Sequence, residues 1–186
     1  MPPLKNQLEI SRHQRLTRFP TLGTQNSLWM WTSFRNPLLV TFNFTIIYLA
    51  RYSPSLRVKN WLFRRIGMTI GSGVSWGLES TPDVFWPELI TIGDNTIIGY
   101  GATILCHEFL QDECRIGDVI IGERTMIGAG SIILPGIHIG NNVQVGANSV
   151  VTKDIPDGSI VAGVPAKILP TLDYFLSPHL LETHDH

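Results

Sequence analysis

The chain is poor in cysteine, in apolar runs of membrane-spanning length and, over its first third, in acid. Two cysteines, Cys106 and Cys114, in 186 residues exclude a disulfide framework, and without a secretion signal they fit a reducing, cytoplasmic setting. The uncharged stretch from Asn36 to Ala50, bounded by Arg35 and Arg51, is too short to cross about 30 Å of hydrocarbon as a helix. Residues 1–65 hold ten Lys and Arg against a single acid, Glu9, which leaves four basic and fourteen acidic residues for the remainder. A chain of net charge −1 is thus divided into a basic and an acidic part, which implies different surroundings for the two. There is no glycine-rich phosphate loop after a strand. No nucleic-acid-binding motif accompanies the basic end, and the apolar stretch within it argues against that use.

What is present is a beat of six. Ile or Val followed by Gly recurs at Ile92-Gly93, Ile98-Gly99, Ile121-Gly122, Ile127-Gly128, Ile139-Gly140 and Val145-Gly146, while Ile104, Ile133 and Val151 keep the aliphatic position without glycine. Helices need apolar spacing near 3.6 and half-buried strands need alternation, so neither accounts for a period of 6. A parallel β-helix does, each unit being one flat strand and one corner, with three units closing a coil. The aliphatic residue points inward, and glycine sits where a side chain would crowd the backbone or φ turns positive. Asp94-Asn95 and Asn141-Asn142 fall where such φ values are also tolerated. The chain divides into a basic, apolar helical region over 1–65, a coil over 66–168 and a tail over 169–186.

Trp29, Trp31 and Trp61 give the first region its texture. Helical spacing groups Leu38, Phe42, Ile46 and Leu49 on one stripe, and Val58, Leu62 and Ile66 on a second helix from Leu56 to Ile66. Two accounts stand: the stripes cap the open end of the coil, or residues 29–65 make peripheral contact with the inner face of a membrane.

The beat fails once. After Ile104 the unit due at 110 is missing and the rhythm resumes at Ile121, so 107–119 is read as a projecting loop, with Ile116-Gly117 inside it. Loops on a stiff scaffold are where reactive groups are displayed, and His107 opens this one.

The run ITIGDNTIIGYGATILCHEF, followed by IIGERTMIGAGSIILPGIHIGNNVQVGANSVVTKDIPDGSIVAGVPAKIL, resembles the hexapeptide-repeat acyltransferases. Within them it is most similar to the maltose and galactoside O-acetyltransferases and their polysaccharide-modifying relatives. The resemblance covers about residues 66–168. It implies a mainly β fold, a left-handed parallel β-helix with one projecting loop, to which the N-terminal helical region read above is added, assembled as a homotrimer that moves an acetyl group from acetyl-CoA to a hydroxyl. His107 then matches the general base, since an imidazole accepts a hydroxyl proton near neutral pH. The group that orients it is open among Glu108, Asp112, Glu113 and a partner on the preceding coil. Asp83 or Glu88 corresponds to an acid that assists at the acceptor. On the coenzyme side the resemblance implies small residues at Ala129 and Ala147 along the pantetheine arm, Thr152 and Lys153 at the nucleotide end, and Lys167 on the phosphates.

Met126 replaces a Trp of the maltose group, and the N-terminal region differs, so the acceptor is open, including amino sugars with N-acetylation. A γ-type carbonic anhydrase shares this kind of coil but needs three histidines on zinc, and the coil offers only His107 and His138. No metal is expected. A non-catalytic scaffold is the remaining alternative, and His138, at a corner of an intact repeat, is read as an exposed structural side chain.

Overall fold

The computed structural model describes residues 11–21 and 23–170. Its centre is a coil of three parallel walls. One wall stacks the strands Thr69–Ile70, Ile90–Ile92, Val119–Ile121 and His138–Ile139, and a second stacks Ser75–Trp76, Ile97–Ile98, Met126–Ile127, Gln144–Val145 and Ile160–Ala162. The third stacks Thr103–Ile104, Ile132–Ile133 and Val150–Val151. Register places each aliphatic residue above its counterpart, as in Ile98, Ile127, Val145 and Val161. These side chains fill the prism and are essentially solvent-free.

The corners show why glycine follows the aliphatic residue. A Cβ on Gly128 would stand 2.5 Å from the Ala147 backbone nitrogen, so the constraint is close approach of successive turns. Positive φ falls two residues later, at Asn95, Arg124, Asn142 and Asn148, with φ of 53–55°. Asn tolerates this region and Arg does so less readily.

The coil begins one turn earlier than the beat. Ile70 and Trp76 occupy inward positions paired with Ile92 and Ile98, and at Trp76 an indole replaces the aliphatic residue. That first turn would expose a row of backbone carbonyls. The helix Leu56–Arg65 lies over it and supplies donors: Asn60 to the Val74 carbonyl (2.8 Å), Arg64 to those of Ile70 (2.8 Å) and Gly71 (3.0 Å), and Lys59 Nζ to that of Gly77 (2.8 Å). Lys59 is buried, which lowers its pKa, and Phe63 packs on Trp76 with ring centroids 4.7 Å apart.

Three sequence expectations need correction. Helix Leu56–Arg65 faces the coil with Lys59 and Phe63, keeps Leu62 and the following Ile66 against the core as the stripe predicts, and leaves Val58 exposed, because open-edge carbonyls require donors as well as an apolar stripe. Helix Pro37–Tyr52 buries Asn43, Ile47 and Ala50, so its Leu38, Phe42 and Leu49 face outward. Segment 107–119 is largely ordered as a hairpin: His107–Phe109 pairs antiparallel with Glu113–Ile116, and Thr17–Pro20 adds a third strand. The basic segment crosses onto the coil through ion pairs, Arg12 to Glu108 (2.7 Å) and Arg15 to Asp154 (2.5 Å). Most of the 169–186 tail lies outside the described residues.

Replacing Gly128 by Ala forces one turn off the next and is expected to lower stability by about 1–3 kcal/mol, a fall of a few degrees or more in the thermal midpoint. Arg124→Gly, which removes a side chain from a positive-φ site, is expected to leave the midpoint unchanged or raise it. Thermal unfolding followed by circular dichroism checks both.

Candidate active site

His107 begins the hairpin where the chain leaves the third wall after Ile104. Directly beneath it comes the segment that joins the first turn to the second, and this segment carries Asp83. The Asp83 side chain is fully buried while that of His107 is 15% exposed. Asp83 Oδ1 accepts from the backbone N–H groups of Phe85 (2.8 Å) and Trp86 (2.9 Å), and Oδ2 accepts from that of Cys106 (2.6 Å). Oδ2 also lies 2.5 Å from His107 Nδ1. Burying a carboxylate is costly unless donors surround it, and here four do.

This environment fixes the imidazole. An ionised carboxylate only accepts, and three backbone N–H groups already point at this one, so the proton between Asp83 and His107 is placed on Nδ1, which leaves the Nε2 lone pair free. Rings enclose the imidazole: the centroids of Phe109, Phe85 and Trp86 lie 4.7, 4.8 and 5.6 Å from its own. A held tautomer with a free, partly shielded nitrogen is the arrangement a general base requires.

The thiols nearby are inert. Burial, reinforced by the charge of Asp83, pushes the Cys106 thiol far above its ordinary range and that of Cys114 up to about 12. Neither supplies a thiolate nucleophile at neutral pH. Among the described residues no three His, Cys, Asp or Glu converge in a way that would hold a metal.

Of the candidates for orienting His107, the partner on the preceding coil is the one in contact, and it is Asp83. Glu108 does not reach the imidazole. As the next residue along a strand it points to the other side, where Arg12 holds it, while Glu113 pairs with Arg115. Asp83 is in turn unavailable to an acceptor, since both its oxygens are occupied in the interior. Glu88 is held by Arg35 at 2.5 Å, and that guanidinium lies 5.6 Å from the Trp86 ring centre. His138 is not exposed but half-buried, with Nε2 3.1 Å from Asp118 Oδ2, a contact that holds the Asp118 carboxyl below its usual range.

Ala129 and Ala147 stack on successive turns at one corner, both exposed, with the Asn148 N–H donating to the Ala129 carbonyl at 2.8 Å. Lys167 lies on the same wall, opposite Ala162 in an antiparallel strand. Thr152 and Lys153 follow the last strand of the third wall, and the Ala166 N–H, next to Lys167, donates to the Val150 carbonyl of that strand at 2.8 Å, so the two segments meet at the end of the coil. Both lysines are exposed. Sequence reasoning missed Phe85, Trp86 and Phe109 around the imidazole; the usable signal was the cluster of aromatic residues on either side of Asp83 and His107.

Residues 118–153 match the family described as the hexapeptide repeat of succinyl-transferase. The chain is 46% identical over 159 residues to YvoF of Bacillus subtilis (strain 168), assigned as an acetyltransferase, covering 85% of this chain and 92% of that one. It is 55% identical over 98 residues to WbbJ of Escherichia coli (strain K12), assigned as a lipopolysaccharide biosynthesis O-acetyl transferase, covering 44% and 50% of the two chains. Its fold is similar to that of the hexapeptide-repeat-containing acetyltransferase VCA0836 of Vibrio cholerae O1 biovar eltor, solved with acetyl coenzyme A: TM-score 0.61, 22% identity, 72% of this chain and 86% of that one. With a coil of six-residue units, and a relative this similar along nearly its whole length, the chain belongs to the hexapeptide-repeat acetyltransferase family.

Proposed function

We propose that this protein transfers an acetyl group from acetyl-CoA to a hydroxyl of a sugar or surface-polysaccharide precursor, with His107 as the general base and Asp83 as the residue that positions it. The observation that carries this reading is the 2.5 Å contact between His107 Nδ1 and the buried Asp83 carboxylate. With that contact made, Nε2 accepts the acceptor's hydroxyl proton as the oxygen attacks the thioester carbon. The tetrahedral adduct collapses, the C–S bond breaks, and the proton passes from the imidazolium to the departing CoA sulfur. Asp83 stabilises the transient imidazolium, which is worth most in a water-poor site. The aromatic rings around His107 suit the apolar face of a sugar ring, and the similarity to WbbJ supports oxygen as the atom acetylated.

In this reading the coil is left-handed, three copies assemble, and the coenzyme lies along a wall bearing Ala129 and Ala147. Small side chains there leave room for the pantetheine arm, while Thr152, Lys153 and Lys167 lie near the nucleotide and its phosphates. Glu88 lies on the acceptor side.

His107→Ala is expected to reduce kcat by about 10²–10⁴-fold with little change in affinity for acetyl-CoA, and Asp83→Asn to reduce it substantially, with some loss of stability because the amide NH2 faces a buried N–H donor. Steady-state kinetics with an acceptor found by screening sugars, amino sugars and serine checks both, and unchanged turnover in His107→Ala would remove the base assignment. Lys153→Glu and Lys167→Glu are each expected to weaken acetyl-CoA binding, measured by calorimetry, by about tenfold or more, because each places an anion beside a polyphosphate.

A further inference from the structure

We infer that the outer face of helices Pro37–Tyr52 and Leu56–Arg65 is a docking surface for an anionic lipid bilayer. The inference rests on how these helices face and does not depend on the reaction assigned above. An amphipathic helix on a coil normally buries its apolar side. Helix Pro37–Tyr52 does the reverse in part, turning Asn43 inward, where its amide donates to the Val84 carbonyl at 3.1 Å, and turning Leu38 (81% exposed), Phe42 (50%), Phe44, Tyr48 and Leu49 to solvent. Large apolar side chains clustered on one surface mark a contact.

Charge identifies the occupant. Between Glu9 and Glu79 there is no Asp or Glu, so nothing on either helix offsets its basic residues. Leu56–Arg65 packs against Pro37–Tyr52, and its exposed side bears Arg57, Trp61 and Arg65 at helical spacing, the Arg65 guanidinium 5.0 Å from the Trp61 ring centre. Aromatic residues and cations bordering an apolar strip are the composition of a helix lying in a headgroup layer. A two-fold pairing of this face with a second copy is opposed by the like charges of Arg57 and Arg65, and a three-fold contact would show as an oligomer that needs Phe42 and Leu49. No helix among the described residues is long and apolar enough to cross a bilayer, so the contact is peripheral. Through Asn43 and Val84 the inward face of the same helix rests on the segment that carries Asp83.

Co-sedimentation of the full chain with vesicles of phosphatidylcholine, with and without phosphatidylglycerol, tests this directly. Partition onto the anionic vesicles is expected to exceed that onto phosphatidylcholine by at least tenfold and to fall as salt is raised. The double variant Arg57→Glu/Arg65→Glu is expected to lose tenfold or more of it, and Phe42→Ser/Leu49→Ser likewise, both with an unchanged thermal midpoint. Equal partition onto the two vesicle types, or none, overturns the proposal. So does a wild-type oligomer by light scattering that dissociates in Phe42→Ser/Leu49→Ser, which would make the face a subunit contact.

Discussion

Everything in this molecule depends on how closely one turn of the coil can approach the next. The strands are two or three residues long, and none is stable alone; what holds them is register, with Ile98, Ile127, Val145 and Val161 stacked so that each rung buries the one before it. Stacking requires the corners to touch backbone to backbone, which is why glycine recurs at Gly93, Gly99 and Gly128. Stability in such an array is a sum of nearest-neighbour terms. A single poor corner therefore weakens its neighbours directly, and an open end must be closed by something else.

The two ends of that constraint explain the N-terminal region. At the open first turn, Lys59, Asn60 and Arg64 supply N–H groups to carbonyls that another rung would otherwise satisfy. Further along, Arg12 and Arg15 reach Glu108 and Asp154, and Arg35 reaches Glu88. The division of charge visible in the composition is thus partly neutralised within the chain. Among the described residues, Arg57 and Arg65 are cations outside these pairs that lie on the outward face of the cap.

Where the coil is regular, the sequence was sufficient: period, inward residues and crowded corners could all be read from Ile-Gly and Val-Gly pairs. It failed where an inward position is filled by an unusual residue. Trp76 blurs the register of the first turn, so a partner for His107 on the preceding coil could be expected but not named, and Asp83 was placed at the acceptor instead of beneath the imidazole. The hairpin 107–116 was read as a loop because its third strand, Thr17–Pro20, comes from far away in the chain. The helical stripes were right only in part, with Ile46, Leu62 and Ile66 against the core and Leu38, Phe42, Leu49 and Val58 outside, for a different reason. Spacing shows which residues share a face but not which face turns inward, and here Lys59 and Asn43 go in because backbone carbonyls at the coil's edge need donors. The similarity to known acetyltransferases concerns the family; the pairing of Asp83 with His107 is read from geometry.

The central claim is that Asp83 holds the proton of His107 on Nδ1 and leaves Nε2 basic. Long-range nitrogen-15 correlation spectra of the histidine rings at neutral pH report this directly. The account predicts a protonated Nδ1 and a bare Nε2 for His107, with that preference lost in Asp83→Asn. A neutral ring carrying its proton on Nε2 in the wild-type protein would contradict it.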